Sequence, residues 1–111
     1  SRFIQIMNNL LNNALNNTIQ GTISFGYTAN ADMVEFYVKD TGVGISENKL
    51  ETIFDRFVKL TANQNGFGLG LSITKGLVKI MGGSVRVTSQ PGEGSVFYFS
   101  LPVFPVPDMR T

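Results

Sequence analysis

The side chains best placed to bind a ligand in this sequence are the asparagines of NNLLNNALNNT, residues 8–18, which hold six of them in three doublets. Asn9 and Asn13 stand four residues apart, so on a helix both amides would point the same way. An amide offers an oxygen and N–H groups but cannot take a proton. The chain contains no histidine and no cysteine. No histidine of this chain can therefore act as a general base, a metal ligand or a phosphoacceptor. Thiolate metal sites and disulfides are excluded as well.

The spacing of apolar residues predicts that these asparagines lie on a helix. Asparagine is a mediocre helix former, because its short amide competes for nearby backbone groups. At about 100° per residue, however, seven apolar residues fall on one half of a helix. They are Phe3, Ile6, Met7, Leu10, Leu11, Ala14 and Leu15. The asparagines are predicted on the opposite side, with Asn9, Asn13 and Asn16 within about 60° of one another.

Two glycine-rich segments could bring the backbone close to a ligand. DTGVGI, residues 40–45, directly follows the strand-like EFYVK, so Asp40 would present a carboxylate where the glycines allow close approach. GFGLGLSITKG, residues 66–76, has alternate glycines before a helical pattern, where free N–H groups and the helix dipole attract anions. It matches neither the dinucleotide fingerprint nor the Walker loop. A surface turn and a flexible loop remain the alternatives.

The elements that must position these segments form a simple order. The helix is followed by strands 21–28 and 33–40, a short helix 47–57, a helix 70–81 and strands 84–89 and 95–101. Two hairpins with helices packed on one face of a mostly antiparallel, mixed sheet make a two-layer α+β sandwich. We expect one domain over residues 1–102, followed by a proline-punctuated tail or linker, residues 103–111.

Composition narrows the class of protein. A chain of 111 residues with 42% hydrophobic and 15% charged residues is expected to form one globular domain. A net charge of +1 does not favour a nucleic-acid or membrane surface. Without cysteine, a long apolar run or a signal-peptide pattern, a cytoplasmic location is expected. The helical pattern begins at once, which suggests a domain of a longer protein.

Five segments in order resemble the catalytic ATP-binding domain of two-component sensor histidine kinases, within the GHKL ATPase superfamily and its Bergerat fold. The N-box corresponds to RFIQIMNNLLNNALNNT, the first glycine box to DTGVGI and the F-box to IFDRFVK. The second glycine box corresponds to GFGLGLSITKGLVKIMGG, and the closing signature to SQPGEGSVFYFSLP. The resemblance therefore covers nearly the whole chain, from Arg2 to Pro102.

The resemblance implies roles for individual residues. Asn13 would bind the Mg²⁺ that bridges the ATP phosphates, supported by Asn9, since amide oxygens suit this ion. Asp40 would accept a hydrogen bond from the adenine amino group, and Lys59 would reach the γ-phosphate. The base would contact Gly42, Gly44, Ile45 and Ser95. The F-box rings Phe54 and Phe57 would pack the lid. The triphosphate would lie against Asn16, Gly66, Gly68, Leu69 and Gly70.

The same resemblance implies partners. Hydrolases of the superfamily carry a glutamate base where this chain has Asn9, so the chain resembles a kinase that passes phosphoryl to a protein histidine. That histidine would lie on a dimerisation domain of the same full-length protein, with a response regulator downstream. The isolated domain would be monomeric, without nucleic-acid or direct membrane contact, and would form the cytoplasmic part of a membrane-anchored bacterial sensor.

The N-box departs from the family pattern at two positions. It usually continues with a lysine that contacts the phosphates and then an aromatic ring, where this chain has Asn16 and Asn17. Losing a lysine–phosphate hydrogen bond, worth about 1.5–3 kcal/mol, could weaken binding or catalysis by about 10–100-fold. The alternatives are therefore a degenerate nucleotide-binding or structural module without kinase activity, and, less favoured, a self-sufficient ATP hydrolase.

Overall fold

The structure, a computed structural model, describes residues 1–30, 32–50, 52–55 and 70–102. Its elements follow the predicted order of helix, hairpin, short helix, helix and hairpin. They are α1 (Arg2–Asn17), β1 (Ile23–Ala29), β2 (Met33–Asp40), α2 (Glu47–Leu50), α3 (Gly70–Ile80), β3 (Ser84–Gln90) and β4 (Gly94–Pro102). The predicted tail, residues 103–111, lies outside the described residues.

The four strands form one sheet in the order β1-β2-β4-β3, and every pairing is antiparallel. Because side chains alternate between faces, Val38 on β2 meets its register partner Phe97 on β4, and Phe36 meets Phe99, on the side that packs against the helices. The predicted α+β class and two-layer architecture are confirmed. The mixed character is absent, since the described strands contain no parallel pair.

Helix α1 begins at the N-cap Ser1, whose Oγ accepts a hydrogen bond from the N–H of Ile4 at 3.3 Å. Its core face carries Ile6, Leu10 and Ala14. The prediction for Leu15 was wrong, because its side chain is 63% exposed. Helix α3 packs against the other flank of α1. The buried face of α1 therefore excludes Leu15 and includes two of the asparagines, Asn13 and Asn17.

The short helix is shorter than its predicted span. Residues Glu47–Leu50 are helical, and then the N–H groups of Thr52 and Asp55 donate to carbonyls three residues earlier, at 3.0 and 2.9 Å. This is the spacing of tight turns rather than of an α-helix. The turns bury Ile53 completely and bring the ring of Phe54 edge-on to Phe97, with 6.3 Å between centroids. Residues 56 and 57 of the predicted helix lie outside the described residues.

The sheet face away from the helices is polar and aromatic. Arg86 donates two hydrogen bonds to Glu35, at 2.9 and 3.0 Å, and its guanidinium lies 3.5 Å from the ring centroid of Tyr98. The hydrogen bonds from Arg86 lower the pKa of Glu35. This exposed pair stands apart from the predicted site, which faces the helices. No helix among the described residues is long and apolar enough to cross a membrane.

Candidate nucleotide-binding site

Asp40 ends strand β2 on the helix side of the sheet and is only 2% exposed. Its Oδ1 accepts a hydrogen bond from the N–H of Gly42 at 2.9 Å. Its Oδ2 is buried, and no donor in the described part of the chain reaches hydrogen-bond geometry with it. Burial raises the pKa of Asp40 against the opposing effects of the Gly42 and Ser95 backbone amides. A buried carboxylate oxygen without a donor is costly, so it is poised to accept one from a ligand.

The loop after Asp40 is fixed between the end of α1 and the β3–β4 hairpin. The N–H of Val43 donates to the carbonyl of Asn17 at 3.1 Å, and the carbonyl of Val43 accepts from Gly92 at 2.8 Å. Two residues after Val43, the N–H of Ile45 donates to Ser89 Oγ at 2.7 Å, and the Ile45 side chain is buried. These contacts hold the position of Asp40 relative to both layers.

The glycines of this loop are required by close approach to the protein's own backbone. A Cβ on Gly42 would collide with the carbonyl oxygen of Asn17. Gly44 has φ of +74°, and a Cβ there would collide with the carbonyl oxygen of Gln90. Sequence reasoning assigned both glycines to the approach of a base. In the structure, Gly42 allows the loop to pack against the end of α1, and Gly44 allows it to pack against the β3–β4 hairpin.

Replacing Gly44 with alanine is expected to destabilise the protein by about 3–4 kcal/mol, because left-handed φ and a backbone collision would both be imposed. Gly92→Ala is the matched control, since Gly92 has φ of +81° but no atom from residues 1–30, 32–50, 52–55 or 70–102 lies within 4 Å of its Cβ position. It should cost only about 1–2 kcal/mol. Urea unfolding measures both free energies. Equal destabilisation would contradict a role for close packing at Gly44.

A pair of serines faces each other near the turn of the β3–β4 hairpin, in register with Asp40. Ser89 Oγ lies 2.8 Å from Ser95 Oγ and 2.9 Å from the carbonyl of Gly94. A hydroxyl has one hydrogen to donate. Ser89 therefore donates to Gly94, and Ser95 donates to Ser89. Sequence reasoning named Ser95 but missed Ser89, although Ser89 follows Val85 and Val87 at the two-residue period of the inward face.

The asparagine flank of α1 meets the start of α3. Asn9 is half-buried, and its Nδ2 donates a long hydrogen bond of 3.5 Å to the carbonyl of Gly70. Asn13, one turn later, is only 4% exposed, and Asn16 is half-buried. Gly70 is exposed, and no atom of the described residues lies within 4 Å of its Cβ position. The amides thus adjoin a helix N-terminus, where N–H groups favour an anion.

The remaining predicted site residues divide into two groups. Phe54, which was predicted to pack the lid, packs against the hydrophobic core in the structure. Outside the described residues lie Phe57, Lys59, Gly66, Gly68 and Leu69. Asn17, placed in the sequence analysis only as a departure from the family, proves to be buried at 4% exposure.

The donor set bears on the predicted metal. The described residues contain no group of three or more acidic, histidine or cysteine side chains that could hold an ion. Mg²⁺ does not need such a cage, because it keeps several waters and shares substrate phosphates with one or two protein oxygens. An amide such as that of Asn13, beside a helix N-terminus suited to phosphate, fits this kind of shared site.

Comparison with known proteins identifies the family. The sequence model of the histidine kinase-, DNA gyrase B-, and HSP90-like ATPase family matches residues 1–105. The chain is 40% identical to the autoinducer 2 sensor kinase/phosphatase LuxQ of Vibrio vulnificus, over 92% of this chain and 13% of that protein. It is 37% identical to the sensor histidine kinase RcsC of Escherichia coli, over 93% of this chain and 11% of that protein. The chain therefore spans only a small part of these relatives.

Solved structures agree with the sequence comparison. The crystal structure of full-length ShkA in complex with AMPPNP matches 98% of this chain and 23% of its own, with 33% identity and a TM-score of 0.84. The mycobacterial sensor histidine kinase MprB matches 92% of this chain and 72% of its own, with 28% identity and a TM-score of 0.79. The chain belongs to the histidine kinase-, DNA gyrase B-, and HSP90-like ATPase family, on its sensor-kinase branch, as the five motifs predicted.

Proposed function

We propose that this chain is the catalytic domain of a two-component sensor histidine kinase, which binds Mg-ATP and donates the γ-phosphoryl to a histidine on a separate dimerisation domain. The observation that carries the proposal is Asp40, which is buried at a strand end and whose Oδ2 receives no hydrogen bond from the described residues. An amine on a base supplies the missing donor, and a charge-assisted hydrogen bond makes the contact strong. Adenine has such an amine, whereas guanine has a carbonyl oxygen at the same ring position.

The phosphates are proposed to lie along the asparagine flank. There Asn13 binds Mg²⁺, Asn9 supports the ion or its waters, and the start of α3 at Gly70 faces the anionic charge. Bound Mg²⁺ would neutralise charge on the transferring phosphoryl group. Lys59 and the glycines of residues 66–70 are proposed to complete the phosphate contacts.

Phosphoryl transfer to a protein, rather than to water, follows from the chemistry of the amides. Asn9 cannot accept a proton, so it cannot serve as the base that activates water. The chain also contains no histidine of its own. The proposal therefore includes a histidine-bearing domain of the same full-length protein, a response regulator that receives the phosphoryl group and a cytoplasmic location for the kinase domain.

The test of transfer uses the full-length protein with γ-labelled ATP. We expect label on protein that is stable to base and lost in acid, as phosphohistidine is, and we expect it to disappear with Asn13→Ala. The isolated chain should release no inorganic phosphate above background. Steady phosphate release by the isolated chain, lost with Asn9→Ala, would instead establish a hydrolase.

Replacing Asn16 with lysine is expected to raise the affinity for Mg-ATP by about 10–100-fold, because a cation would gain hydrogen bonds to phosphate. Asn12→Lys, on an exposed position of the same helix, is the matched control and should change affinity little in moderate salt. Calorimetry measures both. Equal gains would mean that net charge, rather than position, is responsible.

The same pair of variants addresses the second candidate, a module without kinase activity. That candidate rests on Asn16, which stands where the family pattern has its phosphate-binding lysine. Wild-type protein that binds no nucleotide, together with an Asn16→Lys variant that does, would favour it. Wild-type protein that binds Mg-ATP and labels its histidine would rule it out.

A further inference from the structure

Asn17 occupies a core position of α1 although its side chain is polar. On the helical wheel it falls between Ile6 and Leu10, the two residues that face the sheet. Its side chain is only 4% exposed, and Oδ1 is buried without a hydrogen-bond partner among the described residues. An aliphatic side chain would fill such a position without this cost. A buried polar group that lacks its partner indicates a site for a ligand or for an ordered water.

Asn17 lies at the same end of the fold as Asp40, with the Gly42 turn connecting them. The N–H of Gly42 donates to Asp40 Oδ1, and a Cβ on Gly42 would collide with the carbonyl of Asn17. The same Cβ would lie 2.8 Å from Oγ1 of Thr18, which is also buried and unpaired. Three residues that flank this turn therefore each carry a side-chain oxygen that is buried and has no hydrogen-bond partner in the described part of the chain: Asn17 Oδ1, Thr18 Oγ1 and Asp40 Oδ2.

Two of these oxygens can only accept hydrogen bonds. Asn17 Oδ1 and ionised Asp40 Oδ2 cannot pair with each other, and the Thr18 hydroxyl has one hydrogen and could satisfy only one of them, so a further donor must come from outside. A primary amine on an aromatic base presents two N–H groups in one plane. We infer that Asn17 is a second base-reading residue: one N–H of the purine amine is donated to Asp40 Oδ2 and the other to Asn17 Oδ1. This inference rests on the proposed ATP-binding function and specifies how its base is selected.

The inference predicts a graded response to the number of N–H groups on the base. ATP has two, N6-methyl-ATP has one and purine riboside triphosphate has none. Wild-type affinity should fall about tenfold at each step, because each loss leaves a buried acceptor unpaired. Asn17→Leu keeps a similar volume and removes one acceptor. The Asn17→Leu variant should bind ATP about tenfold more weakly than wild type does. It should bind N6-methyl-ATP as well as it binds ATP, and its affinity should fall only for purine riboside triphosphate.

Calorimetry on the 111-residue chain measures these six affinities, and thermal unfolding confirms that the variant folds. Asn12→Leu, exposed on the same helix, is the control and should keep the wild-type gradation. If wild type binds ATP but Asn17→Leu shows the same two steps, the inference is overturned while the proposed function stands. If wild type binds none of the nucleotides, the proposed function fails and the inference fails with it. A structural role or a bound water alone would alter stability without changing the gradation.

Discussion

Asp40→Asn is expected to weaken ATP binding by about 100-fold, although the two side chains have nearly the same shape. The asparagine oxygen would keep the hydrogen bond from the N–H of Gly42, which now goes to Asp40 Oδ1. Its Nδ2 would then occupy the position of Oδ2 and would face the amine of the base. Both groups are hydrogen-bond donors, so no hydrogen bond could form between them. Losing a hydrogen bond to a charged group and leaving buried donors unpaired costs about 3 kcal/mol, which corresponds to about 100-fold.

The same substitution should have the opposite effect on the stability of the unliganded protein. Burial raises the pKa of Asp40 above its ordinary value of 3.8, so the folded state disfavours the ionised form. The contribution of this carboxyl to stability is therefore fully present below pH 3.8 and is lost as pH rises through the raised pKa. At neutral pH, Asp40→Asn should unfold at a higher temperature than wild type while binding ATP more weakly.

Two observations check this account of Asp40. Wild-type affinity for ATP should decline as pH falls through the raised pKa, because the protonated carboxyl is a weaker acceptor, whereas the affinity of the variant should not follow that change. Inosine triphosphate has an oxygen in place of the amine. Asp40→Asn should therefore weaken the binding of inosine triphosphate less than it weakens the binding of ATP. A variant that is less stable and binds ATP normally would contradict both the burial argument and the proposed contact.

Asn13→Ala is expected to remove the dependence of nucleotide binding on Mg²⁺. Removing groups that only support metal ligands already costs about 10–100-fold in metal affinity, so loss of the proposed ligand should cost about 100-fold or more. Without Mg²⁺, wild type and variant should bind ATP with similar affinity, because the base contacts at Asp40 remain. Calorimetric titrations of ATP with Mg²⁺ and with a chelator measure the difference.

Asn12→Ala provides the control for this experiment. Asn12 is the neighbouring asparagine on α1 and is exposed, so its removal should leave the Mg²⁺ dependence intact. An Asn13→Ala variant that still binds Mg-ATP better than free ATP by the wild-type margin would show that Asn13 is not the ligand. Retained labelling of the histidine in full-length protein carrying Asn13→Ala would lead to the same conclusion.

The sequence predicted the elements well where a periodic apolar pattern ends at a glycine-rich turn. Strand β2 was predicted with its observed bounds, Met33–Asp40, because a β-rich run ends at a glycine-rich turn. Helix α3 was predicted to within one residue, since its apolar period ends at Gly82 and Gly83. The position of Asp40 at a strand end followed from the same reasoning.

Features that depend on packing between elements were not predictable from one segment at a time. Leu15 fits the apolar period of α1, yet it is exposed because α3 covers the opposite flank of that helix. Asn17 was grouped with the other asparagines opposite the apolar residues, although its own wheel position lies between Ile6 and Leu10, so its burial could have been predicted from the sequence. The collisions that require Gly42 and Gly44 involve residues 17 and 90, which no local pattern connects to the loop.

The most direct test of the central claim is a calorimetric titration of the 111-residue chain with ATP in the presence of Mg²⁺. The account predicts one nucleotide bound per chain, with a Kd below about 1 mM, within the range at which enzymes meet their substrates. It also predicts tighter binding with Mg²⁺ than with a chelator. An absence of binding at millimolar Mg-ATP by the folded chain would contradict the claim that this domain serves a kinase.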